Sequence, residues 1–80
     1  MSLESVVQQM RDMAEKESIP SNVSDLLEDA ADELENEERD LSVRVNSASS
    51  KLDEASNDPN IRQHTRTEIW NLASKVEGLD

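Results

Sequence analysis

His64 and the many carboxylates are the side chains of this sequence that could bind a metal ion. His64 is the only histidine and there is no cysteine, so any further ligands would have to be carboxylates. A di-metal site in a helical bundle uses inward-pointing Glu-x-x-His pairs, whereas the residue three positions before His64 is the apolar Ile61. The sequence therefore predicts no metal site, and we expect His64 to face solvent.

Two groups of carboxylates are dense enough to attract divalent cations loosely. One is formed by Asp25, Asp29 and Asp32, and the other by Glu35, Glu37 and Glu38. Neither group follows the EF-hand pattern with its glycine turn. We interpret both as solvated acidic faces.

Motifs for covalent catalysis and phosphate binding are also missing from the sequence. Its single glycine, Gly78, cannot supply a glycine-rich loop. A serine nucleophile needs a base within hydrogen-bonding reach and an oxyanion donor, and no strained serine turn lies near His64. We therefore expect a protein that is not an enzyme, with no catalytic residue and no cofactor.

The charge balance of the chain is strongly acidic. Eight Lys and Arg oppose 19 Asp and Glu, which gives a formal net charge of −11. Because nucleic-acid affinity comes mostly from basic side chains that neutralise phosphates, this balance argues against direct binding to nucleic acid. Together with a core of small and medium residues, the charge favours a halophilic protein adapted to molar salt; an ordinary acidic mesophilic protein is the alternative.

Length and cysteine content indicate one domain, residues 1–80, in the reducing cytoplasm. The N-terminal stretch MSLESVVQQMRDMAEKE has no basic flank and no long apolar run. We therefore expect a soluble chain with neither a signal peptide nor a membrane anchor.

Apolar residues recur at the three-four spacing of amphipathic helices along the chain. The pattern predicts an all-α fold with helices at residues 2–17, 20–36, 40–56 and 60–78. Short connections make sequential helices antiparallel, which predicts an up-and-down four-helix bundle built from two αα-hairpins. The expected core residues are Leu3, Val6, Val7, Met10, Met13, Ala14, Val23, Leu26, Leu27, Ala30, Ala31, Leu34, Leu41, Val45, Ala48, Leu52, Ala55, Ile61, Thr65, Ile69, Leu72, Val76 and Leu79.

Local signals mark the ends of these helices. We expect Ser2 and Asp40 to cap the first and third helices, Pro20 to take the first position of the second, and Gly78 to end the fourth. The polar side of the second helix carries carboxylates that we expect to face water, namely Asp25, Glu28, Asp29, Asp32 and Glu33.

Trp70, the only tryptophan, lies about 140° from the centre of the apolar stripe of its helix. One interpretation is that it closes the edge of the bundle against another helix. The other is that it anchors a contact with a second copy or another protein, since Trp and Arg are enriched at interface hot spots. The predicted interaction patch comprises Trp70, Arg66, Ala73, Arg62 and Val43.

Four stretches, VVQQMRDMAEKESIP, NEERDL, LDEASNDPNI and TRTEIWNLASKVE, together resemble a family of small archaeal proteins that carries only an uncharacterised label. The resemblance spans nearly the whole chain and implies an all-helical four-helix bundle from an archaeon. It implies no activity and no catalytic residue. After the first proline turn the chain has Ser21, Ser24 and Asp25, where relatives tend to be more basic.

These observations favour a non-enzymatic helical interaction module that acts through protein-protein contacts, in a cytoplasm that we expect to be haloarchaeal. Its partner is unknown, and a homodimer is one candidate form of the contact. The alternative is a small factor associated with a ribonucleoprotein or the translation machinery, using Arg62 and Arg66. An acidic carrier for divalent ions ranks below both.

Overall fold

The structure, a computed structural model, describes residues 2–79 and contains four α-helices. In chain order they are α1 (Leu3–Ala14), α2 (Ser21–Glu35), α3 (Leu41–Ser56) and α4 (Gln63–Glu77). No strand occurs between residues 2 and 79. The predicted all-α fold and the predicted number of helices are confirmed.

Each helix packs against the next one in the chain, and α4 closes the ring against α1. The α1–α4 contact is the least extensive of the four, and within the described part of the chain the backbones of diagonal helices do not approach each other closely. Short connections make successive helices antiparallel. The result is the predicted up-and-down four-helix bundle, with Cα dimensions of 33 × 19 × 18 Å.

The apolar stripes of the four helices form one core. Burial of each large aliphatic side chain contributes about 1.5–3 kcal/mol. Four residues of the predicted stripes, Leu3, Leu26, Leu41 and Leu79, are only partly buried at its margin. The buried apolar residues are Val6, Val7, Met10, Met13, Ala14, Ile19, Val23, Leu27, Ala30, Ala31, Leu34, Val45, Ala48, Leu52, Ala55, Ile61, Ile69, Leu72 and Val76.

Two helices are shorter than predicted because turns occupy their expected ends. After α1 ends at Ala14, the N–H of Lys16 donates to the carbonyl of Met13 at 3.1 Å and continues the chain as a turn. Before α4, the N–H of Asn60 donates to Oδ1 of Asp58 at 2.8 Å. This local side-chain bond competes with helix formation and delays the start of α4 to Gln63.

The predicted helix-end residues occupy the ends, with differences in detail. Ser2 accepts a hydrogen bond from the N–H of Ser5 at 3.1 Å, as a cap should. Asp40 is at the N-cap of α3 but makes no side-chain cap bond, and Pro20 occupies the N-cap of α2 instead of its first helical position. Gly78 ends α4 with a φ of −73°, so the backbone there does not require glycine.

A shared contact completes the carboxyl ends of α1, α2 and α3. In each case the fourth residue of the next helix donates a side-chain hydrogen bond to a carbonyl ten residues earlier. The donor-acceptor pairs are Ser24 Oγ to the Ala14 carbonyl at 2.6 Å, Arg44 to the Leu34 carbonyl at 3.1 Å and Arg66 Nε to the Ser56 carbonyl at 2.8 Å. These carbonyls have no partner within their own helices, so the contacts fix each helix to its successor.

Candidate interaction surface

Trp70 and Val43 are large apolar side chains that remain exposed, by 52% and 42% respectively. Trp70 lies off the buried stripe of α4, which consists of Thr65, Ile69, Leu72 and Val76. Val43 projects from α3 on the side opposite its buried residues. A tryptophan half exposed to water is the most distinctive feature of the described surface.

The contacts of α4 show which way Trp70 points. Arg66 reaches the carboxyl end of α3. On the other side of the helix, Lys75 contacts Gln9 of α1 and Glu68 contacts Lys16, which follows α1. Trp70 follows Arg66 by four residues and therefore lies one turn further along on the same side. We call seven exposed, uncharged residues on the outward side of α3 and α4 the outer face: Ser42, Val43, Asn46, Ser50, Thr67, Trp70 and Ser74.

Arg66, predicted to support Trp70 in a contact patch, is engaged within the bundle. Its Nε donates to the Ser56 carbonyl at 2.8 Å and its Nη2 to the Asp58 carbonyl at 3.0 Å. Its Nη1 donates to Oε1 of Gln63 at 3.1 Å. The guanidinium therefore caps α3, and three of its five N–H donors bind the protein itself.

The remaining predicted patch residues have different environments. Arg62 is exposed at the N-cap of α4 and makes no side-chain cap bond. Ala73 is partly buried and packs against the core. Arg62 and Arg66 thus do not form the exposed basic strip predicted by the alternative interpretation, because one of the two caps a helix.

A shallow cleft of about 210 Å³ lies on the opposite side of α4, along its seam with α1. Lys75 donates to Oε1 of Gln9 across the seam at 2.9 Å, and Lys16 pairs with Glu68 at 3.6 Å. The cleft is lined by Gln9, Met13, Glu68, Asn71, Leu72 and Lys75. Gln9 and Lys75 of this lining already bond each other across the seam, which makes the cleft part of the α1–α4 contact.

An ion cluster that was not expected from the sequence joins α1 to α2. Arg11 donates to Glu28 at 2.9 Å, to Asp32 at 3.0 Å and to Glu35. Hydrogen bonds to Glu35, Asp32 and Glu28, in that order, raise the pKa of Arg11. Glu28 and Asp32 were expected simply to face water; their spacing with Glu35, four and three residues apart, was the signal that one cation could meet all three.

The described residues contain no arrangement suited to a metal. Between residues 2 and 79 no group of three or more His, Asp or Glu side chains is placed to hold an ion. His64 is exposed. Among the same residues, no helix has the length and apolarity needed to cross a lipid bilayer.

Charge is distributed very unevenly between the two hairpins. Residues 1–40, which include α1 and α2, contain 13 acidic and three basic residues, a net charge of −10. Residues 41–80, which include α3 and α4, contain six acidic and five basic residues, a net charge of −1. Both exposed large apolar side chains therefore belong to the nearly neutral half.

Comparison with known proteins identifies relatives along the whole chain. The model of an uncharacterised protein family, UPF0147, matches residues 1–79. A UPF0147 protein of Methanothermobacter thermautotrophicus is 39% identical over 70 residues, covering 88% of this chain and 69% of its own length. One from Pyrococcus horikoshii is 34% identical over 78 residues, covering 96% and 84%. Both organisms are archaea, and no solved structure matches the chain.

Proposed function

Since the chain belongs to the archaeal UPF0147 family, for which no function is known, we propose from its surface that it is a non-enzymatic interaction module. It works through protein-protein contacts made by the outer face, with Trp70 at the centre. The observation that carries this proposal is the 52% exposure of the only tryptophan.

An exposed indole on a rigid helix is well suited to anchor a contact. Tryptophan buries a large area with few rotatable bonds, and it is among the residues most enriched at interface hot spots. Trp70 is held on a helix that is fixed to α3 through Arg66 and to α1 through Lys75. Its position relative to the other outer-face residues is therefore preorganised for binding, which reduces the entropic cost of association.

The alternative, a factor associated with a ribonucleoprotein, has less support from the side chains. It depended on Arg62 and Arg66 forming an exposed basic strip, and Arg66 is committed to the Ser56 and Asp58 carbonyls. A single exposed arginine on a chain of net charge −11 supplies little attraction for phosphate.

Substitution of Trp70 tests the proposed contact. We expect tagged wild-type protein to retain its partner from a native archaeal extract, and Trp70→Ala to weaken that binding by about 2 kcal/mol or more. Trp70→Phe is the matched control, because it keeps an aromatic surface at the same position. Circular dichroism should show the same helix content in all three proteins.

Two results would contradict this function. If Trp70→Ala binds the same proteins as tightly as wild type, the outer face is not the contact. If Trp70→Ala instead lowers the stability of the monomer by about 3–5 kcal/mol, Trp70 closes the edge of the bundle. Nuclease treatment of the retained complex covers the ribonucleoprotein alternative, since partners held through RNA would then be lost.

A further inference from the structure

We propose that the occupant of the outer face is a second copy of this chain, so that the protein forms a symmetric dimer through α3 and α4. This inference rests on the proposed function, because it names the partner of the same surface. It is carried by the separation of charge between the two hairpins and by the composition of the outer face.

The acidic hairpin repels a second copy. Residues 1–40 carry a net charge of −10, and two of their three basic side chains are already paired. Arg11 binds three carboxylates of α2, and Lys16 binds Glu68 of α4. Any contact between copies through α1 and α2 would place two strongly negative surfaces together, and like charges across an interface oppose association.

The outer face lacks this barrier. Its seven residues are uncharged, and five of them are small or medium polar side chains that allow helices to approach closely. Few charged side chains border them, the exposed Asp53 and Glu54 on α3 and Glu77 on α4. The hairpin that carries it has a net charge of only −1. The exposed apolar side chains therefore lie on the side of the molecule where a second copy, itself negatively charged, meets the least repulsion.

The same separation of charge argues against a basic protein as the occupant. Electrostatic complementarity would direct a basic partner to the surface with net charge −10, away from Trp70. The outer face, which is bordered by few carboxylates, is instead open to a second copy. A two-fold axis through it brings Trp70 and Val43 of both copies into one contact and leaves the acidic hairpins on the outside.

The face is large enough for such a dimer. A stable interface buries about 800 Å² on each partner, which is about one sixth of the 4775 Å² accessible surface of this chain. The bundle measures 33 Å along its long axis and 19 Å across, so the whole side formed by α3 and α4, meaning the outer face together with its exposed neighbours, provides an area of this order. The contact then has an apolar centre at Trp70 and Val43 and a polar rim that includes Asp53 and Glu77.

Salt should strengthen this association. Two copies with a net charge of −11 each repel one another at long range, and raising the ionic strength from about 0.1 M to 1 M shortens the screening length from about 10 Å to about 3 Å. Dimerisation should therefore tighten as salt increases. A complex held by attraction between this acidic chain and a basic partner would loosen under the same change.

Sedimentation velocity of the purified protein tests the proposal. Wild type is measured from low to high micromolar concentration at several salt concentrations at which circular dichroism shows intact helices. We expect a monomer-dimer equilibrium that shifts toward dimer as salt rises. Trp70→Ala should raise the dissociation constant at least about thirtyfold, the change expected for loss of a hot-spot residue.

A pair of charge variants supplies the matched control. Val43→Glu places a carboxylate on the outer face, whereas Ser21→Glu places one at the start of α2, and both variants have the same net charge. We expect Val43→Glu to be monomeric at all salt concentrations and Ser21→Glu to dimerise like wild type. Both positions are exposed, so neither change should disturb the helices.

The outcomes separate this inference from the proposed function. A wild-type monomer at all concentrations, with Trp70-dependent retention of another protein, would overturn the dimer and leave the interaction module standing. A dimer that persists unchanged in both Trp70→Ala and Val43→Glu would overturn both, because copies would then associate through another surface. A dimer that loosens as salt rises would also overturn the proposal, because attraction between opposite charges would then hold the copies together.

Discussion

Arginine side chains in this protein link one helix to another. Arg66 donates to the Ser56 and Asp58 carbonyls and Arg44 donates to the Leu34 carbonyl, so each completes the end of the preceding helix. Arg11 joins three carboxylates of α2 that would otherwise repel one another. In a chain with eight basic residues, this use leaves few of them for an outside partner.

Replacing Arg66 should reveal this structural role. Because Arg66→Ala leaves the last carbonyl of α3 and the Asp58 carbonyl in the following turn without a charged donor, we expect it to lower the free energy of unfolding by about 1–3 kcal/mol. Arg62→Ala removes the same charge from an exposed position and should change stability by less than about 0.5 kcal/mol. Thermal melting of the two variants gives the comparison, and equal losses would mean that the carbonyl contacts contribute nothing.

At the scale of elements, periodicity predicted the buried stripes but could not predict which helix lies opposite which side chain. Leu72 and Ile69 are buried because a repeating apolar pattern has one favourable face. The contacts of Arg11 and Arg66 depend on neighbours that only the packed bundle defines. For the same reason Ile19, outside any helix, was not expected in the core.

Ser49 of α3 has a buried polar group that its surroundings do not satisfy. Its hydroxyl is buried and has no hydrogen-bond partner within residues 2–79. We expect Ser49→Ala to stabilise the fold by about 0.5–2 kcal/mol, since alanine has the higher helix propensity and the unpaired hydroxyl is removed. Ser50→Ala, at an exposed position of the same helix, reports the propensity gain alone. Chemical denaturation measures both, and a destabilised Ser49→Ala protein would show that the hydroxyl does have a partner.

At the scale of the whole molecule, the net charge of −11 sets the conditions under which the bundle is stable. Most of it resides in one hairpin, where the carboxylates repel one another across α2 and its flanking connection. Salt screens this repulsion. Because the charge is concentrated in one hairpin, the stability of α1 and α2 should depend more strongly on salt than that of α3 and α4.

We therefore predict that the fold weakens when salt is removed. Far-UV circular dichroism should show a loss of helix on dialysis to about 10 mM salt, where the screening length reaches about 30 Å, and its recovery on return to molar salt. A spectrum that stays unchanged at low salt would favour an ordinary acidic protein over adaptation to high salt.

The three contacts that complete the helix ends also bear on how the chain folds. Each joins residues only ten positions apart, so every corner of the bundle can form while the rest of the chain is still disordered. The α1–α4 seam joins the most distant parts of the sequence, as the Lys75–Gln9 bond shows. The contact with the largest entropic cost of loop closure, α1–α4, is therefore also the least extensive in the bundle. Because the other contacts are local in sequence, the topology favours rapid folding.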